Sequence, residues 1–183
     1  MILLAAAAFA GGPRVALALV YERSAILGGQ WWRLLTGHFV HASLAHLGWD
    51  LAAALLIGLA VAPALRAGPW VIVMLAVAVA SSAGVLLLQP QVHAMAGLSG
   101  LLHGLLAAGA VAQVRRRQRV GGVFLALLAA KIAWEQLAGP SPLVAGALGG
   151  RIAVGAHALG AAAGLLAGLA VPVPTPATSG ARP

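Results

Sequence analysis

The sequence contains no cysteine, which removes disulfides, thiol nucleophiles and thiolate metal sites together. It is almost as poor in carboxylates. Glu22, Asp50 and Glu135 are the three acids in 183 residues, so any carboxylate-dependent chemistry has three candidates. Charged residues of both signs make up 8% of the chain, against about 25% in soluble domains. What fills the space is apolar: 62% of residues are hydrophobic and the mean hydropathy is +1.00. This is the composition of an integral membrane protein. The net charge of +8 would suggest nucleic acid in a soluble domain. Here the basic residues sit in short loops between apolar runs, so membrane orientation accounts for them and no nucleic-acid partner is expected.

The apolar runs divide the chain into six expected spans, each near the 17–25 residues that cross a bilayer of about 30 Å. The first covers residues 2–20 and is weakened in its middle by Gly11-Gly12-Pro13-Arg14. Tyr21 to Gly37 follows as an interfacial connection, with Trp31 and Trp32 as anchors. The later spans are expected over about 40–62, 69–88, 98–114, 120–138 and 153–171. The fold class expected is therefore an all-α, six-helix membrane bundle forming one domain over 1–171, with a disordered Pro/Thr/Ser/Gly tail over 172–183. Arg66, Arg115, Arg116, Arg117, Arg119 and Arg182 fall on one side, and Arg23, Arg33 and Arg151 on the other. The positive-inside rule then places both termini in the cytoplasm.

Counting depth along these spans brings polar residues together. At ~1.5 Å per residue, Ser99 lies ~24 Å above the cytoplasmic end of its span, His46 ~25 Å up, and His157 ~9 Å below the outer end of its own. Asp50 and His103 lie one turn deeper than His46 and Ser99, and Glu135 comes out near ~22 Å. Ionisable groups in a membrane face the bundle interior or water, so this level predicts a cavity open to the outside. Gly100 and Gly104, and Gly160 and Gly164, are pairs four apart on the Ser99 and His157 spans. Each forms a small-xxx-small face that lets backbones approach closely. Such faces pack helices wherever they occur; here they also bear on bringing a serine within reach of an imidazole, as an activated serine requires. Lys131 and Glu135, four apart, read as a mutually neutralised structural couple, with contact of Glu135 to a substrate amine as the lesser alternative. His38 and His93 read as loop or interface residues.

The motif Gly97-Leu98-Ser99-Gly100, with His157-Ala158-Leu159-Gly160 and Gly164 in the last span, Trp32-Arg33 before the second, and His41 and His46 within it, resembles the rhomboid intramembrane serine proteases. The stretches 31–38, 99–104 and 131–136 are similar to the short bacterial branch called rhombosortases. The resemblance runs from Trp32 to Gly164 and implies a six-helix rhomboid-like bundle in the bacterial inner membrane, with its site opening to the periplasmic side. It implies Ser99 as nucleophile and His157 as general base and acid, with no cofactor or metal. It also implies an oxyanion site at the helix start near Gly97, supported by His46, and an outer loop stabilised by His41. The implied partner is a membrane-anchored protein with a C-terminal Gly-Gly sorting tail.

Two positions depart from the family pattern. Asp50 stands where an asparagine is usual. It is either neutral through burial or paired with His46 and holding it protonated, and attraction in a low-dielectric site favours the second. His103 stands where a tyrosine usually packs beneath the catalytic histidine, and is expected to stack on or hydrogen-bond His157. Two other function classes compete. An inactive rhomboid-like binding or adaptor protein would lack Ser99 or His157, and both are present. A metal or haem protein would need a compact histidine set, whereas His46 is about 140° from His41 around a helix.

Overall fold

The computed structural model describes residues 1–140, 145, 146 and 152–173. The chain order is α1 (Ile2–Ala10), α2 (Gly12–Leu19), β1 (Tyr21–Glu22), α3 (Arg23–Leu27), α4 (Arg33–Thr36), α5 (Leu44–Val61), α6 (Ala67–Leu88), β2 (Ala94–Met95), α7 (Ser99–Arg115), α8 (Arg119–Ala138) and α9 (Val154–Ala170). Short 3-10 turns cover Gly37–Phe39 and Ala62–Ala64.

Three helical stretches, Leu44–Ala64, Ala67–Leu88 and Arg119–Ala138, are long and apolar enough to cross a membrane. At 17 residues each, α7 and α9 are shorter, about 25 Å along their axes. Residues 2–20 do not form one continuous helix. Gly12 takes φ +72°, a left-handed conformation that interrupts the helical path, and Pro13 then starts α2 at a position that tolerates its missing N–H. The six-span expectation therefore meets two short helices at its first segment.

The bundle is organised around α7, which packs most extensively on α9 and also contacts α5, α6 and α8. Apart from Gln113, its buried side chains are small or apolar, among them Leu101, Ala107, Ala108, Ala110 and Ala112. The fit to α9 is set by glycine: a Cβ on Gly160 would strike the Gly100 carbonyl, and one on Gly164 the Gly104 carbonyl. Backbone packs directly on backbone there, which no larger residue permits.

Several polar residues act as ties between elements. Arg33 is buried; its guanidinium donates to the carbonyls of Leu17 (2.9 Å) and Val20 (2.6 Å) at the end of α2. Within the connection expected over Tyr21–Gly37, Arg33 is thus a buried tie, because its fork satisfies carbonyls that α2 leaves free. Arg115 donates in the same way to Gly168 (2.8 Å) and Val171 (2.6 Å) at the end of α9. Arg116 donates to Pro63 at 2.7 Å, so the two basic loops lie side by side. Arg151, Arg182 and the tail from 174 onward, all used in the sequence reading, lie outside the described residues.

A two-residue antiparallel ladder, Tyr21 opposite Met95 and Glu22 opposite Ala94, is an addition to the all-α expectation. It fixes the extended segment before α7 against the α2–α3 connection. Gly37 permits this arrangement, since a Cβ there would lie 2.7 Å from the Tyr21 amide nitrogen.

Candidate active site

Three consecutive residues deliver Ser99 to the start of α7. Gly97 has φ +109°, a conformation strained for any side chain, and a Cβ on it would meet the His46 ring. Leu98 is the N-cap position and is fully buried. Ser99 is then the first residue of the helix, at the end carrying free N–H groups and the positive dipole.

The Gly100–Gly160 contact brings α9 alongside, and His157 Nε2 lies 2.9 Å from Ser99 Oγ. The other imidazole nitrogen is engaged as well: Nδ1 lies 2.8 Å from Glu135 Oε2. The remaining oxygen of that carboxylate lies 2.7 Å from Lys131 Nζ. His103 lies flat on His157, with centroids 4.3 Å apart and planes inclined by 9°, while its own Nδ1 lies 2.6 Å from the Ser99 carbonyl. The His157 ring is thus bounded at both nitrogens and on one face.

Across the site, α5 supplies His46 and Asp50. Asp50 is buried, and its Oδ2 accepts the Leu98 N–H at 2.6 Å and lies 3.0 Å from His41 Nε2. His46 Nε2 is farther away, at 3.5 Å. Asp50 thus lies within ion-pair range of His46, as one of the two expected arrangements has it, and has shorter contacts that were not expected, to the amide before the serine and to His41. His41 also precedes α5 rather than lying within it, and its ring meets that of His46 edge-on at 5.0 Å. His38, expected in a loop or at the interface, is buried within the Gly37–Phe39 turn. Its Nε2 lies 2.9 Å from the Ala78 carbonyl and 3.0 Å from Ser82 Oγ, so it ties the Gly37–Phe39 turn to α6.

These residues line a common cavity of about 1160 Å³, with Ser99, His46, His157, Glu135, Lys131 and Trp134 in its wall. Gly97, Asp50 and His103 border it too. Gly104, Gly160 and Gly164 are in the helix contact behind.

Two groups bring three possible ligand atoms within 4.8 Å of one another: His41, His46 and Asp50, and His103, Glu135 and His157. These sets join residues from two or more elements or include carboxylates, so helical spacing of the histidines alone does not disclose them. In these groups the His157 nitrogens face Ser99 Oγ and Glu135, and Asp50 Oδ2 accepts the Leu98 N–H.

Glu135 is the site residue that sequence reasoning assigned elsewhere. Its signal was present as an ionisable group at the depth of Ser99, but the i, i+4 lysine supplied a sufficient structural explanation.

The family profile described as Rhomboid domain matches residues 28–173. A curated relative, the rhomboid protease GluP of Bacillus subtilis (strain 168), is 34% identical over 87 residues, which is 48% of this chain and 17% of the relative. The chain therefore covers under a fifth of that relative's length. The profile match takes in the serine turn, both glycine faces and the imidazole of α9, and the chain belongs to the rhomboid family.

Proposed function

We propose that this protein is an intramembrane serine endopeptidase that uses Ser99 and His157. The observation that carries this reading is the 2.9 Å approach of His157 Nε2 to Ser99 Oγ at a helix N-terminus within a bundle of apolar helices. A neutral imidazole accepts the Ser99 proton as Oγ bonds to the scissile carbonyl carbon. The imidazolium then returns that proton to the leaving amine as the C–N bond breaks. Water repeats the sequence to release the acyl group. Negative charge developing on the carbonyl oxygen meets free N–H groups of the first turn of α7, with His46 as a side-chain donor. Asp50 does not oppose this, because its Oδ2 is directed at the Leu98 amide and His41.

The substrate class follows from the resemblance to rhombosortases: exported proteins with a C-terminal tail of Gly-Gly, a short apolar helix and basic residues. A protease binds its target extended, and a Gly-Gly site leaves the helical conformation at low cost. The enzyme resides in a bacterial inner membrane as one unit over residues 1–171, with both termini cytoplasmic and cleavage near the outer face. The adjacency of the basic loops at the end of α7 opposite Ser99 supports this orientation.

The test is co-expression with a secreted reporter carrying such a tail. Shortening by the wild-type protein, lost with Ser99→Ala, with His157→Ala or when the tail's Gly-Gly becomes Leu-Leu, is the expected result. Shortening that survives Ser99→Ala overturns the serine mechanism, and equal cleavage of the Leu-Leu tail overturns the substrate class.

A further inference from the structure

We infer that Glu135 is a positioning residue for His157, making the reactive group a Ser99–His157–Glu135 triad with Lys131 as the clamp on its carboxylate; this rests on the serine-peptidase reading above. The argument starts from how a carboxylate exists in this place. Glu135 lies in a membrane-spanning helix and its side chain is 9% exposed, an environment that disfavours an unpaired charge. One cation suffices for neutralisation, and Lys131 is on the same helix face one turn away. Lys131 engages only Oε1. Oε2 is directed across the gap between α8 and α9 to His157 Nδ1. A purely intrahelical couple has no need of that second contact.

The second contact has a chemical consequence. An imidazole accepts a proton at Nε2 only if its resting proton is on Nδ1, and a carboxylate facing Nδ1 holds the ring in that tautomer. When Ser99 Oγ–H breaks and its proton bonds to Nε2, the ring becomes cationic. Glu135 then faces the new charge directly. The proton that Nε2 gained leaves to the departing amine nitrogen, and Glu135 itself neither gains nor loses a proton. Lys131 prevents the carboxylate from rotating away, and the half-exposed Lys131 ammonium keeps the pair close to neutral. His103 on the ring face restricts the remaining motion, a tilt.

The experiment measures the reaction of the purified full chain with a fluorophosphonate, so it does not depend on knowing the natural substrate. Wild-type protein forms an adduct at Ser99, Ser99→Ala forms none, and a folded His157→Ala forms it on the order of 10²-fold or more slowly. Glu135→Gln lowers the maximal inactivation rate on the order of 10²-fold or more, with the half-saturating concentration within about twofold of wild type. A structural role alone predicts an unfolded variant or an unchanged rate. If wild type forms no Ser99 adduct, the peptidase reading fails. If wild type reacts and a folded Glu135→Gln reacts equally fast, only the role of Glu135 fails. A second measurement on the unaltered protein covers a variant that does not fold: in ¹⁵N-histidine-labelled wild type at alkaline pH, the ¹⁵N shifts show neutral His157 as the Nδ1–H tautomer. The Nε2–H tautomer would overturn the proposal.

Discussion

Asp50 Oδ2 accepts the backbone N–H of Leu98 at 2.6 Å, so a carboxylate of α5 holds the residue immediately before Ser99. The essential function of the side chain here is to accept, and an amide oxygen also accepts, through a weaker bond. Asp50→Asn is therefore expected to keep reporter cleavage within about fivefold of wild type, with His41 turning to donate to the Phe39 carbonyl beside its Nδ1. Asp50→Leu leaves the buried Leu98 N–H without a partner, at a cost of about 1–3 kcal/mol, and is expected to reduce cleavage at least about tenfold. Thermal unfolding in detergent and the reporter assay check both. Loss of cleavage in Asp50→Asn would mean that the charge itself is required.

The glycine contacts between α7 and α9 make a second prediction. Gly160→Ala and Gly164→Ala place a methyl group against a carbonyl of α7, so each is expected to destabilise by about 1–3 kcal/mol. Both should also slow reaction at Ser99 by moving its helix away from His157. Gly122 on α8 is exposed, and a Cβ there meets nothing within 4 Å. Gly122→Ala should instead raise stability by up to about 1 kcal/mol. Melting temperatures of the three variants give the comparison.

Arg33 makes a third. Arg33→Met removes both donors to the Leu17 and Val20 carbonyls, each a charge-assisted bond of about 1.5–3 kcal/mol. The end of α2 should then lose protection in hydrogen exchange, while the midpoint of α6 retains it. Equal loss in both would show that Arg33 supports the whole bundle rather than this junction.

A fourth prediction concerns pH. Glu22 caps α3, accepting from the Ser24 hydroxyl at 2.7 Å, the Ser24 amide at 3.0 Å and the Ala25 amide at 2.8 Å. The Ser24 hydroxyl bond leads in lowering its pKa below the ordinary 4.5, with the two backbone bonds adding to it. A carboxyl with a lowered folded pKa stabilises fully above its unfolded pKa, and this contribution is lost as pH falls through the folded one. Amide protection of Ser24 and Ala25, relative to intrinsic exchange, should therefore decline as the pH falls below about 4.5. Glu22→Gln should abolish that dependence.

What the sequence disclosed and what it hid follow from the physics of a membrane helix. Ser99 and His157 were legible because each carries a local motif, and because helical rise alone put them at one depth. The glycine pairs were legible because four-residue spacing defines a face. Rotation about each helix axis was much less so. A helix that is apolar all round carries little contrast between buried and lipid-facing sides, so no periodicity directed Glu135 toward α9 or Asp50 toward Leu98. The burial of His38 and Arg33 was hidden for a related reason: both satisfy main-chain carbonyls, and carbonyls have no side-chain signature. The break at Gly12 was visible as Gly-Gly-Pro, but its extent depended on a backbone angle.

The most direct measurement of the central relationship is the rate at which a fluorophosphonate labels the purified protein, with the modified residue located by mass spectrometry. A single adduct on Ser99, absent from Ser99→Ala and slowed on the order of 10²-fold or more in a folded His157→Ala, is the predicted result. Labelling at Ser99 that proceeds at the wild-type rate without His157 would contradict the account.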